Sequence, residues 1–415
     1  MTTLTSPVHN WAGNITFRPE RLHRPTSVAQ LQSLVAASSQ MRVLGTGHSF
    51  NTIADTPGDL VRLNELPRTI EIDTAAAQVR VAGAVRYGEL VPQLHRAGFA
   101  LPNLGSLPHI SIAGACATGT HGSGAGNGCL ATQVSTVEFV VAGGELMTLR
   151  RGQTGFDGSV VALGALGAVT HLTLDLVPTF DVTQVVYDGL PREVLHEHLD
   201  EVLTSAYSVS VFTDHRGPAT VWRKEVDGAE PADRWLGARL ADGPRHPVPG
   251  VDPRHCTEQG AVAGPWHARL PHFRLEFTPS RGDELQSEYF LPREHALAAL
   301  AVFEELSEVL APLLLVCELR TVAADELWLS MAQGRPSLAV HLTWVPDGDR
   351  VTAVLAQLET RLAELGARPH WGKVFCTPPA TVQALYPRLV DYQRLRDGLD
   401  PSGVFSNRFT DTYLR

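Results

Sequence analysis

The chain has 415 residues, enough for two or three domains at ~150 residues each. With 44% hydrophobic and 19% charged residues it can bury a sizeable core, so disorder is not its default state. Its 34 Lys and Arg face 44 Asp and Glu, a net charge of −10 that argues against an electrostatic grip on nucleic acid or an anionic membrane. No apolar run nears the ~18 residues of a membrane span; Leu310–Cys317 and Val160–Val169 are much shorter. The start, MTTLTSPVHNW, lacks a basic stretch followed by an apolar one, so no secretory signal is indicated. Five scattered cysteines (Cys116, Cys129, Cys256, Cys317, Cys376), with no CxxC, fit reduced thiols in the cytoplasm better than a disulfide frame or a zinc site. Lysine occurs only at Lys224 and Lys373. Genomic base composition is the plain cause, yet a lysine kept where arginine is the default suggests that a compact ammonium is wanted there.

In chain order, Ser27–Gln40 reads as a helix with Ser27 as N-cap and Val28, Leu31, Leu34 and Val35 on one stripe. Arg42–Leu44 is a short strand running into the turn Gly45-Thr-Gly-His-Ser49. Thr69–Asp73 and Gln78–Ala82 alternate like paired strands, and Tyr87–Gly98 is helical up to its glycine stop. The stretch Gly114–Gly128 is too glycine-dense for either regular element. Val134–Ala142 and Glu145–Arg150 form a hairpin around Gly143-Gly144. Val169–Val177 alternates as a strand ending at Pro178, where a domain boundary is placed. The Pro/Gly-rich tract Asp227–Pro271 has little periodicity, and loops of that length tend to be functional or mobile. Beyond it come strands Glu284–Leu291, Val316–Val322 and Ser337–Val345, an amphipathic helix Arg293–Leu310, a helix Val351–Leu365 and a last helix Pro379–Gly398. The mix is α+β.

Several of these places carry chemistry. Glycines in Gly45-Thr-Gly-His-Ser49 let backbone N–H groups converge on a pyrophosphate, although the third glycine and the helix of a Rossmann fingerprint are missing. A hydrogen-bonded turn histidine is the competing reading. Nine of the fifteen residues Gly114–Gly128 are Gly, Ser or Thr, with His121 among them, so this stretch either wraps an extended anionic ligand or simply links. Two such loops separated by strands favour a dinucleotide held across two small lobes. Glu318 and Arg320 share one strand face, as do His341 and Thr343. If both faces line one cavity they suit a hydroxyl-rich ligand; the alternative is a solvated sheet surface. Lys373, amid aromatic neighbours, could polarise a hydroxyl or snorkel from the core edge. Ser106 has no GxSxG context, which argues against a serine hydrolase.

Together Gly45-Thr-Gly-His-Ser-Phe-Asn51, Leu101-Pro-Asn-Leu-Gly-Ser-Leu-Pro-His-Ile-Ser111, Ala117-Thr-Gly-Thr-His-Gly-Ser123, Glu318-Leu-Arg320 and Pro369-His-Trp-Gly-Lys373 resemble the FAD-linked oxidases of the vanillyl-alcohol-oxidase type. The first and third motifs are shared with aldonolactone oxidases. Gln286, Glu318-Leu-Arg320 and His341-Leu-Thr-Trp344 point to the alditol oxidase branch. The resemblance covers essentially the whole chain and implies a two-lobed FAD-binding domain at 1–178, an α+β substrate (cap) domain at 179–372, and a C-terminal segment, 373–415, returning to the first. It implies FAD attached covalently through His48. The cofactor would also be lined by Val43, Leu44, Gly45, Thr46, Gly47, Ser49, Ser106, Ser111, Gly114, Ala117, Thr118, Gly119, His121, Val169 and His370. A polyol would be held by Ser106, Gln286, Glu318, Arg320, Thr343 and Lys373, with His341 as base, Arg320 and Lys373 gripping the reacting oxygen, and Glu318 orienting the guanidinium. Gly105 leaves little bulk over the flavin edge, which in the family goes with access of O2. The expected activity is oxidation of the C1 hydroxyl of alditols such as xylitol and sorbitol to the aldose, with O2 reduced to H2O2. The expected working form is a cytoplasmic monomer without metal, nucleic acid or membrane. An aldonolactone oxidase or dehydrogenase of the same fold is the near alternative, and a non-catalytic sugar- or flavin-binding protein the distant one.

Overall fold

A computed structural model describes residues 7–226, 228, 230–276 and 284–415; the MTTLTS start and Asp227, where the Pro/Gly-rich tract begins, lie outside them. In the first lobe, Arg21–His23 (β1) leads through helix Val28–Ala37 (α1) to Met41–Val43 (β2) and Asp59–Val61 (β3), a parallel sheet in the order β1–β3–β2. The expected cap on α1 is present: the Ser27 side chain accepts from the Gln30 N–H, closing an otherwise unpaired donor. Leu31 and Val35, one turn apart, bury against Met41 and Val61.

The second lobe is an antiparallel sheet of Ile70–Asp73 (β4), Gln78–Ala82 (β5), Val134–Val140 (β6), Leu146–Arg150 (β7) and Ala168–Asp175 (β8), ordered β7–β6–β8–β5–β4. Along β8 buried and half-buried residues alternate strictly, with Leu172 and Leu174 inward, so the period-2 pattern was the right signal. Helix Tyr87–Arg96 (α2) and helix Ile112–Ala117 (α3) complete this lobe. α3 departs from expectation, because the chain turns helical through Gly114-Ala-Cys-Ala117 inside the glycine-rich stretch. Ile112, Ala115 and Cys116 bury on one side of it, and that burial outweighs glycine's poor helix propensity.

The rest builds one large antiparallel sheet. Its central order is β9–β11–β10–β13–β14–β12, from Asp181–Leu190 (β9), Ser208–Thr213 (β10), Ala219–Val226 (β11), Leu285–Pro292 (β12), Leu314–Val322 (β13) and Ser337–Trp344 (β14). Helices Ala296–Glu305 (α4) and Gly348–Ala363 (α5) cover one face. There Phe303, Leu355 and Leu358 pack with Cys317, Leu319, Val340 and Leu342. Side chains alternate along a strand, so the residues between those apolar ones face the other way.

Two helices differ from the pattern reading. Arg293–Leu310 is interrupted: a 3-10 turn at Arg293–His295 precedes α4, and Ser307–Leu310 restarts after Leu306. Pro379–Gly398 splits into Pro379–Ala384 and Leu389–Leu399 (α6) around Pro387, which lacks the N–H a continuous helix needs. Nor is it the last helix. Arg408–Leu414 (α7) follows, capped by Asn407 and Thr410, each side chain bonding the other's backbone N–H.

The lobes and the chain end meet at Arg42, which is buried on β2. Its Nη1 donates to the carbonyls of Gly164 (3.0 Å) and Phe405 (2.7 Å), and Nη2 to those of Ile53 (2.6 Å) and Leu163 (2.5 Å). Burial lowers its pKa to about 10, still charged at neutral pH. Truncation would strand the carbonyls of Gly164, Leu163 and Phe405, while Ile53 keeps the Asn407 amide. Arg42→Met is therefore expected to cost about 3–5 kcal/mol of stability, read from the midpoint of a denaturant titration of the FAD-loaded protein.

Candidate active site

Past β2 the backbone turns through Leu44–Ser49, where Gly47 adopts φ +74°, a conformation that favours glycine. The turn is fixed from outside: the Trp11 N–H donates to the Gly47 carbonyl (2.7 Å), and the Asn10 side chain donates to that of Ser49 (2.9 Å). The Trp11 ring stacks on the His48 imidazole, with centroids 5.4 Å apart and planes 16° from parallel. A Cβ on Gly45 or on Gly114 would sit 2.8 Å from Ser111 Oγ, so glycine at both positions is what lets the two loops approach. The Ser111 N–H donates to Thr46 Oγ1 (3.3 Å). His48 Nδ1 is buried and makes no hydrogen bond among the described residues. Burial, then His109, Lys373 and Arg86, push its pKa down to about 4, so the imidazole is neutral.

Opposite this turn stands the face of the large sheet left free by the helices. Strand register decides what meets there. His341 on β14 lies between Glu288 on β12 and Glu318 on β13, and Thr343 lies between Gln286 and Val316. Cross-strand partners point the same way, so the Glu318/Arg320 and His341/Thr343 pairs line one cavity and the solvated-surface reading is excluded. Arg320 Nη2 donates to Glu288 Oε1 (2.6 Å), Nη1 reaches Ser106 Oγ (3.4 Å), and Nε lies 3.6 Å from Glu318 Oε1. His121 Nε2 is 3.0 Å from the same Glu288 oxygen, and His341 Nδ1 is 3.6 Å from the other. Lys373 Nζ donates to Gln286 Oε1, while Gln286 Nε2 donates to Glu284. The Lys373 ammonium also lies 5.1 Å from the centre of the Phe50 ring.

The charges follow from this packing. Burial opposes ionisation of Glu318, but Arg320 and then His272 hold it well below the usual carboxylate range. Glu288 is held low against the same burial by His121 and Arg320. Burial lowers His341, reinforced by Lys373, and lowers Lys373 to about 8. The wall thus brings the Glu288 and Glu318 carboxylates, a guanidinium, an ammonium and the His341 imidazole into one pocket. Such a set can anchor several hydroxyls and take a proton from one of them.

Of the expected site residues, Val43 to Ser49, Ser106, Ser111, Gly114, Ala117, Thr118, His121, Gln286, Glu318, Arg320, His341, Thr343, His370 and Lys373 all line one cavity of about 570 Å³. Gly119 and Val169 do not. A Cβ on Gly119 would face Met331 and Val161, and Val169 pairs with Phe139 beside a small apolar void. Sequence reading missed Glu288, which takes the guanidinium at shorter range than Glu318 does; Glu284, Gln286 and Glu288 recur every second residue, a signal that was there. It also missed His272, the residue after the Pro/Gly-rich tract, whose Nε2 donates to Glu318 Oε1 (2.8 Å). No periodicity marks that residue.

Alditol oxidase of Streptomyces sp. (strain IKD472) is 50% identical to this chain over 98% of both. The chain belongs to the FAD-linked alditol oxidase family. Residues 19–150 match the FAD binding domain family, and 280–413 match the D-arabinono-1,4-lactone oxidase family. L-gulono-1,4-lactone dehydrogenase of Mycobacterium tuberculosis is 29% identical over 99% of both chains. The fold is that of cholesterol oxidase from B. sterolicum, with a TM-score of 0.79 at 14% identity over 99% of this chain and 96% of that one. Chitooligosaccharide oxidase gives 0.73 at 12% identity over 96% and 93%. As in other members of the family the cofactor is FAD, and the residues fit it: the closely approaching glycine loops would cradle an extended dinucleotide, and a neutral imidazole with an unpartnered nitrogen faces the same cavity. No described helix of this family member is long and apolar enough to cross a membrane.

Proposed function

We propose that the protein oxidises the terminal hydroxyl of an alditol such as xylitol or sorbitol to the aldose, reducing O2 to H2O2. The observation that carries this is the convergence of Gln286, Glu318, Arg320, His341, Thr343 and Lys373 on the cavity that His48 also lines. FAD, held by the glycine loops, would supply the acceptor for the hydride of the carbinol carbon. His341, neutral and lacking a close hydrogen bond at Nδ1, takes the hydroxyl proton. Arg320 and Lys373 hold the oxygen as negative charge develops on it. Glu288 orients the guanidinium, which leaves Glu318 to accept hydrogen bonds from substrate hydroxyls alongside Gln286, Thr343 and Ser106. His48 carries the covalent link to FAD; Val43 to Ser49, Ser111, Gly114, Ala117, Thr118, Gly119, His121, Val169 and His370 form the rest of the cofactor's bed. Gly105 leaves room for O2. The proposed division is an FAD-binding domain at 1–178, a cap at 179–372 and a returning segment at 373–415. It is supported by the change of sheet after β8 and by Asn407, whose side chain donates to the carbonyls of Thr52, Ile53 and Asp55. The proposed working form is a cytoplasmic monomer.

Steady-state oxygen consumption should be faster with xylitol or sorbitol than with gulono- or galactonolactone. A lactone preference would instead support the reading suggested by the match at 280–413. A yellow protein that anaerobic polyol fails to bleach would count against the alditol reading. Flavin should remain with the polypeptide after acid denaturation, and His48→Ala should release it. The pH profile of kcat/KM reports the states of both His341 and Lys373. The base must be neutral, so the rate climbs as pH rises through the lowered His341 value, below 6.5. The ammonium must be charged, so the rate falls as pH rises through about 8. Lys373→Met should remove the fall through about 8 and lower kcat/KM by about 100-fold.

A further inference from the structure

The other lysine of the chain has no part in the reaction just described, yet it is one of the most deeply buried side chains. Lys224 sits on β11, 1% exposed, on the sheet face that carries Glu318. Ser208 of β10 lies opposite Lys224, and Phe212 of the same strand lies opposite Glu318. Above that face runs the segment Leu270–Phe273. The three protons of the ammonium meet three acceptors in it: the Leu270 carbonyl, the Pro271 carbonyl (3.3 Å) and His272 Nδ1 (3.3 Å). An imidazole that accepts at Nδ1 carries its proton at Nε2, which is the atom facing Glu318 Oε1 at 2.8 Å. The same segment reaches Ser106, whose carbonyl accepts from the N–H groups of His272 (3.1 Å) and Phe273 (3.3 Å).

We propose that Lys224 is a positioning residue for polyol binding: by setting the tautomer of His272 it holds the Glu318 carboxylate in the pose that receives substrate hydroxyls, and this hold depends on the lysine being protonated. The inference rests on the alditol reading of the pocket. A buried arginine could not replace the lysine, because its planar fork does not fit three acceptors around one nitrogen.

Glu318, Arg320, His272 and Cys256 face Lys224, while His341 and Lys373 also face Glu318. Burial pushes the Cys256 thiol up to about 12 and His272 down to about 4, so both are neutral. Glu318 stays ionised and Arg320 charged. Burial lowers Lys224 to about 7, so it is the group of this cluster that changes charge near neutrality, ahead of Lys373 at about 8.

Anaerobic stopped-flow reduction of the holoenzyme by xylitol separates Kd from the limiting reduction rate across the neutral pH range. In the unaltered enzyme Kd should rise about tenfold as pH rises through about 7. Lys224→Met should show the high Kd at every pH, with a limiting rate within about twofold and unchanged FAD content. His272→Gln places an amide N–H where Nε2–H stands and should regain the low Kd while losing the inflection near neutrality. Should Lys224→Met not fold, His272→Gln alone decides, because a merely structural lysine predicts an inflection that survives in it. Wild-type Kd and pH dependence in either variant would overturn the proposal. An unaltered enzyme that no alditol reduces would overturn the substrate reading, and this inference with it.

Discussion

Arg320 brings a positive charge into a buried wall, and the pocket is arranged around balancing it. Glu288 takes one end of the guanidinium at 2.6 Å while Glu318 stands 3.6 Å from its Nε. Removing two carboxylates and a guanidinium from water is costly, and attraction between them repays this only where the remaining hydrogen bonds are also made. His121 supplies one on Glu288 and His272 one on Glu318. A cluster of this kind adds little to stability compared with an apolar core. Its value lies in fixed donors and acceptors for a ligand that must exchange each lost water contact for a new one.

Those polar groups matter only if they face the loop that bears His48, and backbone hydrogen bonds enforce that. The Phe50 N–H donates to the Gly372 carbonyl (2.8 Å), and the Asn51 side chain donates to the carbonyls of Trp371 and Lys373, both 2.8 Å away. On the other side, the N–H groups of His370 and Val374 donate to the backbone carbonyls of Glu288 and Gln286 of β12, each at 2.9 Å. The segment around Lys373 is therefore clasped between the glycine turn and the sheet. Glu359 holds its far end through Cys376 N–H and Thr377 Oγ1. An ammonium pinned in this way needs little reorganisation when charge develops beside it, which is the condition for effective electrostatic stabilisation.

Local signals were legible wherever one short segment contained both the pattern and its cause. Ser27 capped the helix it was expected to cap, β8 alternated as read, and the hairpin turned at Gly144, where φ is +86°. Glu318, Arg320, His341 and Thr343 announced a polar face by alternating with apolar residues. Reading failed where burial or register intervened. α3 formed through Gly114 because its neighbours bury, and Glu288 became Arg320's partner because β12 and β13 pair with opposite edges of β14. His272 lies in a stretch with no period at all. Its position comes from the packing of Leu270 and Trp266 into the core and from Thr257 Oγ1, which donates to the Pro271 carbonyl (2.7 Å).

By itself the amino-acid sequence determined the two glycine turns, the apolar stripe of α1, the alternation along β13 and β14 and the motifs of an FAD-linked oxidase. All of these are written in residues a few positions apart, where sterics and periodicity act. Tertiary structure alone decided which carboxylate holds Arg320, how His272 and Lys224 come to stand behind Glu318, and how the Lys373 segment is clasped against the turn of His48. Those outcomes depend on strand register and on loops laid over a sheet, and nothing in a single segment specifies its distance to another hundreds of residues away.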